Sequence, residues 1–300
     1  MLAPRYHRGE IEVQARAGVR EMAARISDVI RPEIPLYTRD FLEDQRTVIV
    51  GFTGAGGRVW ASLLTGEPGF LRVIDERALR IDACPVPGDP LDENSKPGMD
   101  VGLISIDLSS RRRMRLNGKA EGRREGLYVY AEQVYGNCTK YIQAREPGTA
   151  GASISVGTGS ARHAGTLTDE QRRLICSSDT FFIASAHPDG GADASHRGGL
   201  PGFVRFLNED TLVFPDYSGN NMFNTLGNIA ANPNTGLLFL NFERGDTLQL
   251  TGEARVIWDP ACAAEFAGAQ RVVEFRIEEI VENIVPLRWW FAAYSPFNPA

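Results

Sequence analysis

Three consecutive residues, Ser195, His196 and Arg197, place a hydroxyl, an imidazole and a guanidinium in one short segment. His196 is a candidate proton donor, because imidazole ordinarily titrates near neutral pH, and a structural hydrogen-bonding role is the alternative. Ser195 lacks the surrounding G-x-S-x-G elbow of a hydrolase nucleophile, so a structural role is predicted for it. The chemistry that this segment offers is anion binding and proton transfer.

A second polar segment combines amides with the start of a predicted helix. Residues 218–221 read SGNN, residues 222–231 have helical spacing of apolar positions, and Pro233 ends the pattern. A helix N-terminus presents unpaired backbone N–H groups and a dipole that favours an anion, and simple turn and cap chemistry is the alternative. No Lys or Arg lies between Arg205 and Arg244, so neutral donors would bind such an anion and its affinity is expected to be modest.

Other signals exclude function classes. Residues 51–57, GFTGAGG, lack the Gly-Lys-Ser/Thr ending of a phosphate loop and predict a hairpin turn. The basic run at residues 111–115 is interpreted as a solvated strand edge, and the net charge of −6 argues against nucleic acid or an anionic membrane as partner. Four scattered cysteines predict reduced thiols and no metal site. With no signal-like or membrane-spanning apolar run, a soluble cytoplasmic protein is expected.

The elements that position these residues occur twice. Residues 58–73 (RVWASLLTGEPGFLRV) and 191–206 (GADASHRGGLPGFVRF) share the frame A-S-x-x-x-G-x-P-G-F-x-R at a separation of 133 residues. The segments 102–106 and 116–120 match 236–240 and 250–254 at a separation of 134 residues. One register held across separate blocks indicates an internal duplication.

Each half predicts a short helix followed by several short strands, which is typical of a small antiparallel barrel. In the second half, residues 168–171 (TDEQ) form a capping-box start for that helix. We predict a helical N-terminal arm over 1–37, a first lobe over 38–145, a flexible Gly/Ala/Ser/Thr-rich connector over 146–166, and a second lobe over 167–300. The LRWW segment at 287–290 is interpreted as an anchor between the lobes, or alternatively as a wall of the substrate pocket.

These blocks resemble those of pyridoxamine 5′-phosphate oxidase-like, flavin-nucleotide-binding proteins, and of their two-lobed bacterial subgroup in particular. The resemblance rests on DASHRGG (193–199), PGFVR (201–205), FPDYSGNN (214–221) and FNTLGNI (223–229) in the second half, and on WASLL (60–64) and YGNC (135–138) in the first. It implies a mainly β fold with some α-helix, in which two tandem split β-barrels form a pseudo-dimer.

The resemblance also implies an FMN site centred on the second lobe. The second-lobe residues expected to bind the cofactor are Asp193, Ser195, His196, Arg197, Pro215, Asn220, Asn221, Asn224 and Thr225. The first lobe would act as the partner subunit of dimeric relatives and face the flavin through Gln133, Asn137, Lys140 and Tyr141. Its own site is expected to be lost, because its phosphate segment at 84–93 is acidic and broken by prolines.

The predicted function is that of an FMN-dependent oxidoreductase with a small-molecule substrate and a separate electron donor. The alternative is a non-catalytic module that binds a flavin, a deazaflavin or haem as a carrier or redox partner. Pyridoxamine phosphate oxidation itself is not expected, because Arg288 is followed by Trp289 where those oxidases carry an Arg-x-His signature. A homodimer is a further expectation.

Overall fold

The computed structural model describes residues 5–94, 96–148, 161–189 and 191–299. Two antiparallel sheets dominate the fold. The first has the strand order β2-β1-β5-β6-β7-β4-β3, and its strands are β1 (Thr47–Thr53), β2 (Val59–Thr65), β3 (Leu71–Val73), β4 (Ala78–Ile81), β5 (Met99–Asp107), β6 (Arg112–Arg123) and β7 (Gly126–Asn137).

The second sheet repeats this order as β11-β10-β14-β15-β16-β13-β12. Its strands are β10 (Thr180–His187), β11 (Gly191–Gly198), β12 (Arg205–Phe206), β13 (Thr211–Tyr217), β14 (Asn234–Leu240), β15 (Asp246–Ile257) and β16 (Ala269–Ile284), with β9 (Arg162–Ala164) added beside β16. A separate two-stranded sheet joins β8 (Ala144–Pro147) to β17 (Trp289–Ala293). The same order in both sheets confirms the predicted tandem split barrels.

Seven α-helices accompany the sheets in the described ranges. They are α1 (Arg8–Arg16), α2 (Arg20–Ile26), α3 (Arg39–Glu43), α4 (Pro90–Asn94), α5 (Asp169–Ser177), α6 (Asn224–Ala231) and α7 (Pro260–Ala264). Thr168 caps α5 in a capping box with Gln171, as its sequence predicts, whereas Thr38 makes no side-chain cap for α3. None of these helices is both long and apolar enough to span a membrane.

The two lobes meet through strands related by a pseudo-twofold axis. Gly102 in β5 and Gly236 in β14 are repeat equivalents, and each lies against the partner lobe's edge strand. A Cβ added at Gly102 would overlap the backbone of Asp193, and one added at Gly236 would lie 2.7 Å from Cα of Trp60. Asp193 in β11 and Trp60 in β2 are themselves equivalent positions of the repeat. Glycine is required twice because two backbones approach closely in the same way, and this arrangement is the expected pseudo-dimer.

The interface between the lobes has its own hydrophobic core. Buried side chains of both sheets form it, including Ile49, Ile104, Phe182 and Leu238. Leu287 and Trp289 complete this cluster, so that half of the LRWW segment packs between the lobes, while Trp290 is exposed. Burying apolar area on both sides stabilises one fixed arrangement of the lobes.

The segments outside the two sheets differ in part from their predictions. The predicted connector contains strand residues near both of its ends, because β8 pairs with β17 and β9 pairs with β16, and residues 149–160 lie outside the described residues. The N-terminal arm contacts both lobes: α1 packs on α6 of the second lobe, and Arg31 bridges to Val134 of the first. The 12-residue strand β7 was not predicted.

Candidate functional site

A cleft of about 890 Å³, counting its open side, lies between the lobes beside the start of α6. Most of the sequence-predicted site residues line it. They are Ser195, His196, Arg197, Pro215, Asn220, Asn221, Asn224, Thr225, Asn137 and Tyr141. Strand β11 forms one wall, the β13–α6 loop forms the mouth, and β6 and β7 of the first lobe close the opposite side.

Three predicted residues lie outside this lining. Asp193 is buried beneath the cleft, where it forms an ion pair with Arg115 and accepts a hydrogen bond from Asn117 at 3.3 Å. Gln133 donates to the backbone oxygen of Arg5 at 3.3 Å, and Lys140 lies 5.9 Å from the ring of Phe297. Asp193 therefore joins the lobes, while Gln133 holds the N-terminal arm.

The basic run was wrongly interpreted as a solvated edge. Strand alternation turns Arg113 and Arg115 towards the second lobe, and only Arg112 remains exposed, 5.2 Å from the ring of Phe41. Arg115 is 4% exposed, and Arg113 donates from Nη1 to Nδ1 of His196 at 3.2 Å. The first lobe thus supplies the positive charge that the β13–α6 loop lacks.

Two of the cleft arginines have no carboxylate partner. In the described part of the chain, neither Arg113 nor Arg197 forms a salt bridge, and Arg197 donates only to Ser195 Oγ at 3.1 Å and to the backbone oxygen of His196 at 3.2 Å. Burial lowers the pKa of Arg197, and burial, with neighbouring Arg115, lowers the pKa of Arg113 to about 10. Arg113 is therefore still charged at neutral pH, and a guanidinium is in general not deprotonated in proteins. The charge of Asp216 offsets part of the effect of burial on Arg197 although the two form no salt bridge. A buried charge without a paired carboxylate is costly, so these two arginines favour an anionic ligand.

A third arginine is neutralised within the protein. Arg271 in β16 lies 3.3 Å from Asp216 and packs 4.8 Å from the ring of Phe223. Burial raises the pKa of Asp216, and the charges of Arg197 and Arg271 oppose that shift. The side of the cleft near β16 is therefore less positive than the side near Arg113.

The N-terminus of α6 opens into the cleft from an unusual backbone. Phe223 occupies the N-cap position at φ 62°, Asn221 also has φ 62°, and no side chain caps the first turn. Left-handed conformations of bulky residues cost about 1–3 kcal/mol and persist where the surrounding fold imposes them, often at ligand sites. Uncapped N–H groups in such a loop form an anion-binding concavity.

The asparagine amides of this loop are partly engaged elsewhere. Asn220 accepts a hydrogen bond from the backbone of Met222 at 3.1 Å, and Asn224 donates its amide to Glu10 of α1. The Asn221 amide lies 2.9 Å from Sδ of Met22. The backbone N–H groups, more than these amides, are therefore free to hold an anion.

His196 is arranged as a hydrogen-bond donor. Its Nδ1 faces Arg113, which can only donate, so the proton of the neutral ring must lie on Nε2. Burial, followed by the charges of Arg113, Arg197 and Arg145, lowers the pKa of His196 well below 6.5. Nε2 is buried and has no hydrogen-bond partner among the described residues. These features favour a neutral His196 that donates a hydrogen bond through Nε2–H, and they disfavour the predicted role in which His196 transfers a proton.

Tyr141 connects the lobes across the mouth of the cleft. Its backbone is left-handed at φ 64°, its hydroxyl donates to the Ser218 carbonyl at 2.9 Å, and its ring lies 5.2 Å from Tyr217. Two buried residues, Gln143 and Ser295, bind the backbone next to Tyr141. Gln143 accepts a hydrogen bond from Ser295 N at 2.8 Å, and Tyr141 N donates to Ser295 Oγ at 3.2 Å. The C-terminal segment therefore fixes Tyr141 at the entrance.

The equivalent position in the first lobe is filled by protein. Ser62, the repeat partner of Ser195, donates to Asp89 at 2.5 Å, and Gln249 donates to Ser62 Oγ at 2.9 Å. Asn283 donates to Asp89 at 3.1 Å and to Gln249 at 3.0 Å. All four side chains are buried and hydrogen-bonded to one another.

Sequence reasoning missed several lining residues, among them Arg113, Arg115, Cys138, Asp216, Tyr217 and Gln270. A signal for the arginines was present in the duplication. The repeat register aligns Arg113 with Thr247 and Arg115 with Gln249, so the two halves diverge from charged to neutral at these positions. A pair of arginines in one half that aligns with neutral residues in the other half is the kind of signal that could have drawn attention to β6.

Comparison with solved structures finds matches to part of the chain at low identity. The HupZ protein of Group A Streptococcus is 16% identical, with 37% of this chain and 90% of that chain covered and a TM-score of 0.31. A Clostridium acetobutylicum protein related to general stress protein 26, of the pyridoxinephosphate oxidase family, is 13% identical over 41% and 92%, with a TM-score of 0.29. The FAD binding protein of Mycobacterium smegmatis is 18% identical over 43% and 100%, with a TM-score of 0.28.

The family comparison concerns the second lobe. No curated protein matches the chain. Residues 167–283, from the residue before the Thr168 cap to near the end of β16, match the family model of pyridoxamine 5′-phosphate oxidase. The second lobe is thus similar to the pyridoxamine 5′-phosphate oxidase family over these residues.

Proposed function

We propose that the cleft between the lobes binds one FMN per chain and that the protein is a flavin-dependent oxidoreductase acting on a small molecule. The observation that carries the proposal is the convergence of the uncapped α6 N-terminus with Arg113 and Arg197, two guanidiniums without carboxylate partners. A phosphate monoester carries close to two negative charges and three acceptor oxygens at neutral pH, so it matches this combination.

FMN would supply the hydride or electron chemistry, and the protein would supply binding and electrostatics. Arg113, Arg197 and the first turn of α6 would hold the phosphate. His196 would present its Nε2–H to a ligand acceptor, and Tyr141 would narrow the entrance. A separate reductant would deliver electrons.

A non-catalytic flavin-binding module is the second candidate. It is favoured by one observation: His196, the lining side chain whose ordinary pKa is nearest neutrality, has its pKa lowered well below 6.5. A cleft built in this way is suited to holding a cofactor without proton transfer by the protein. Anaerobic addition of NADH or NADPH to the FMN-loaded protein separates the two, since bleaching of the visible flavin band supports the enzyme and a stable band supports the binder.

The decisive test of the site compares two neighbouring arginines of β6. Arg113→Gln removes a charge from the cleft, whereas Arg112→Gln removes one from an exposed side chain on the other face. A hydrogen bond to a charged group contributes about 1.5–3 kcal/mol, so Arg113→Gln should weaken FMN binding about 10- to 100-fold and Arg112→Gln should leave it unchanged. Quenching of flavin fluorescence during titration measures both.

Thermal unfolding of the two variants serves as the folding control. Because Gln removes a buried charge without adding volume, Arg113→Gln should unfold close to the temperature of the unmodified protein. Equal FMN affinity in Arg113→Gln and the unmodified protein would contradict the site assignment. Absence of FMN binding by the unmodified protein would contradict the proposed function.

A further inference from the structure

A second cavity adjoins the cleft on the side of the N-terminal arm. It is a groove of about 1060 Å³, counting its open side, between arm residues 28–41 and strands β6 and β7. Its apolar surface comes from Tyr37, Phe41, Met114 and Val134. Tyr37 is 79% exposed although it is a large aromatic side chain. The groove is of the size that small organic ligands occupy.

The groove is also positively charged. Arg31, Arg112 and Arg113 line it, and within the described ranges none of the three forms a salt bridge. The carboxylate in the lining, Asp28, is already paired with Arg5. In addition, Nε of Arg113 is buried without a hydrogen-bond partner in the part of the chain that the structure describes. Three guanidiniums around aromatic and aliphatic walls match an amphipathic anion.

Arg113 connects the groove to the cleft, because it belongs to the lining of both cavities. A ligand in the groove would therefore border the same residue as a cofactor in the cleft. Proximity of this kind is what a reaction between a bound cofactor and an organic substrate requires. No other arginine lines both cavities among the described residues.

We propose that the groove binds the organic substrate of this protein, a small carboxylate with an aromatic or aliphatic body. The body would pack on Tyr37 and Phe41, and the carboxylate would face Arg31, Arg112 and Arg113. The role as substrate site rests on the proposed FMN function, whereas the binding of such an anion does not.

The probe is 3-phenylpropionate, titrated calorimetrically into the full chain with and without FMN. We expect saturable binding, and binding at least about fivefold weaker to Arg31→Gln and Tyr37→Ala, because each variant removes one kind of contact. The uncharged 3-phenylpropionamide should bind at least about fivefold more weakly than the acid. Arg124→Gln, which removes an exposed charge at the distant β6–β7 turn, should bind the probe like the unmodified protein.

FMN titration of the same variants separates the two proposals. Arg31 does not line the cleft, so Arg31→Gln should keep full FMN affinity while losing affinity for the probe. If FMN fails to bind but 3-phenylpropionate binds with the expected variant pattern, the groove stands and the proposed function falls. If 3-phenylpropionate does not bind, or binds equally to Arg31→Gln or as its amide, the groove proposal is overturned.

Discussion

At the scale of single residues, the most perturbed carboxylate outside the cleft lining is Glu10. It is 3% exposed, accepts hydrogen bonds from the backbone of His7 at 2.8 Å and from the Asn224 amide, and lies beside the first turn of α6. Burial outweighs these hydrogen bonds and raises the pKa of Glu10 to about 7. The fold therefore stabilises the protonated form of a group that is ionised in the unfolded chain.

Glu10→Gln should stabilise the protein at alkaline pH. Between pH 4.5, the ordinary pKa of the carboxyl, and about 7, its pKa in the folded state, the unfolded chain releases a proton that the folded chain retains. Stability consequently falls as the pH rises through this window, and the loss is complete above it. Gln has no such loss, so it should raise the free energy of unfolding by roughly 3 kcal/mol at about pH 8.

Denaturant unfolding at several pH values measures this difference. The gain should shrink towards zero as the pH approaches 4.5, where Glu10 is protonated in both states. Gln can still accept from His7 N and Asn224, so the capping box of α1 is preserved. A gain of equal size at every pH would show that Glu10 does not titrate as described.

At the scale of elements, the contact between α1 and α6 links the arm to the predicted phosphate site. Gly9 and Gly227 allow the two helices to approach closely, and Val13 enters the core of the second lobe. Gln14 donates to the backbone oxygen of Met222 at 2.9 Å, just before the helix begins. The chain's N-terminal helix thus supports the loop that presents the α6 N-terminus.

Gly227→Ala should disturb this support. An added Cβ would lie 2.6 Å from both Cα and N of Glu10, and backbone cannot move as a flexible side chain can. We expect a loss of about 1–3 kcal/mol in unfolding free energy, as for other overpacked contacts, together with weaker FMN binding. Gly165→Ala is the control, because nothing lies within 4 Å of its added Cβ. Unchanged stability of Gly227→Ala would contradict the described helix contact.

At the scale of the whole molecule, the two positions related by the duplication differ. The lobes meet with pseudo-twofold symmetry, but Arg113 and Asn137 line an open cleft. The equivalent ladder pair in β15 and β16, Thr247 and Asn283, is buried, and Asn283 belongs to the Asp89 network. Residues of both lobes contribute to each position.

FMN titration should saturate at one FMN per chain. Thr247→Val, which removes a hydroxyl at the equivalent of Arg113, should leave both affinity and stoichiometry unchanged, in contrast to Arg113→Gln. Fluorescence titration combined with analytical ultracentrifugation gives the FMN ratio and the number of chains in the complex. A ratio of two would mean that the Asp89 network opens to admit a ligand.

The sequence by itself determined the repeated architecture. Strand alternation and turn residues located most strands, the Thr168 box located α5, and the asparagine-rich segment located the start of α6 within a few residues. These signals are local, so they survive without knowledge of the fold. Strand β7 was not predicted, although its residues Leu127, Val129 and Ala131 alternate and are buried.

Only the tertiary structure decided which residues meet in the cleft. Strand periodicity states that Arg113 and Arg115 share a face, but what covers that face depends on how the lobes pack. His196 lies 83 residues from Arg113, and Glu10 lies 214 residues from Asn224. Such contacts arise from burial across the lobe interface and along α1, which no local pattern encodes. For the same reason, the basic run at 111–115 was predicted to be solvated, whereas Arg113 and Arg115 line the cleft.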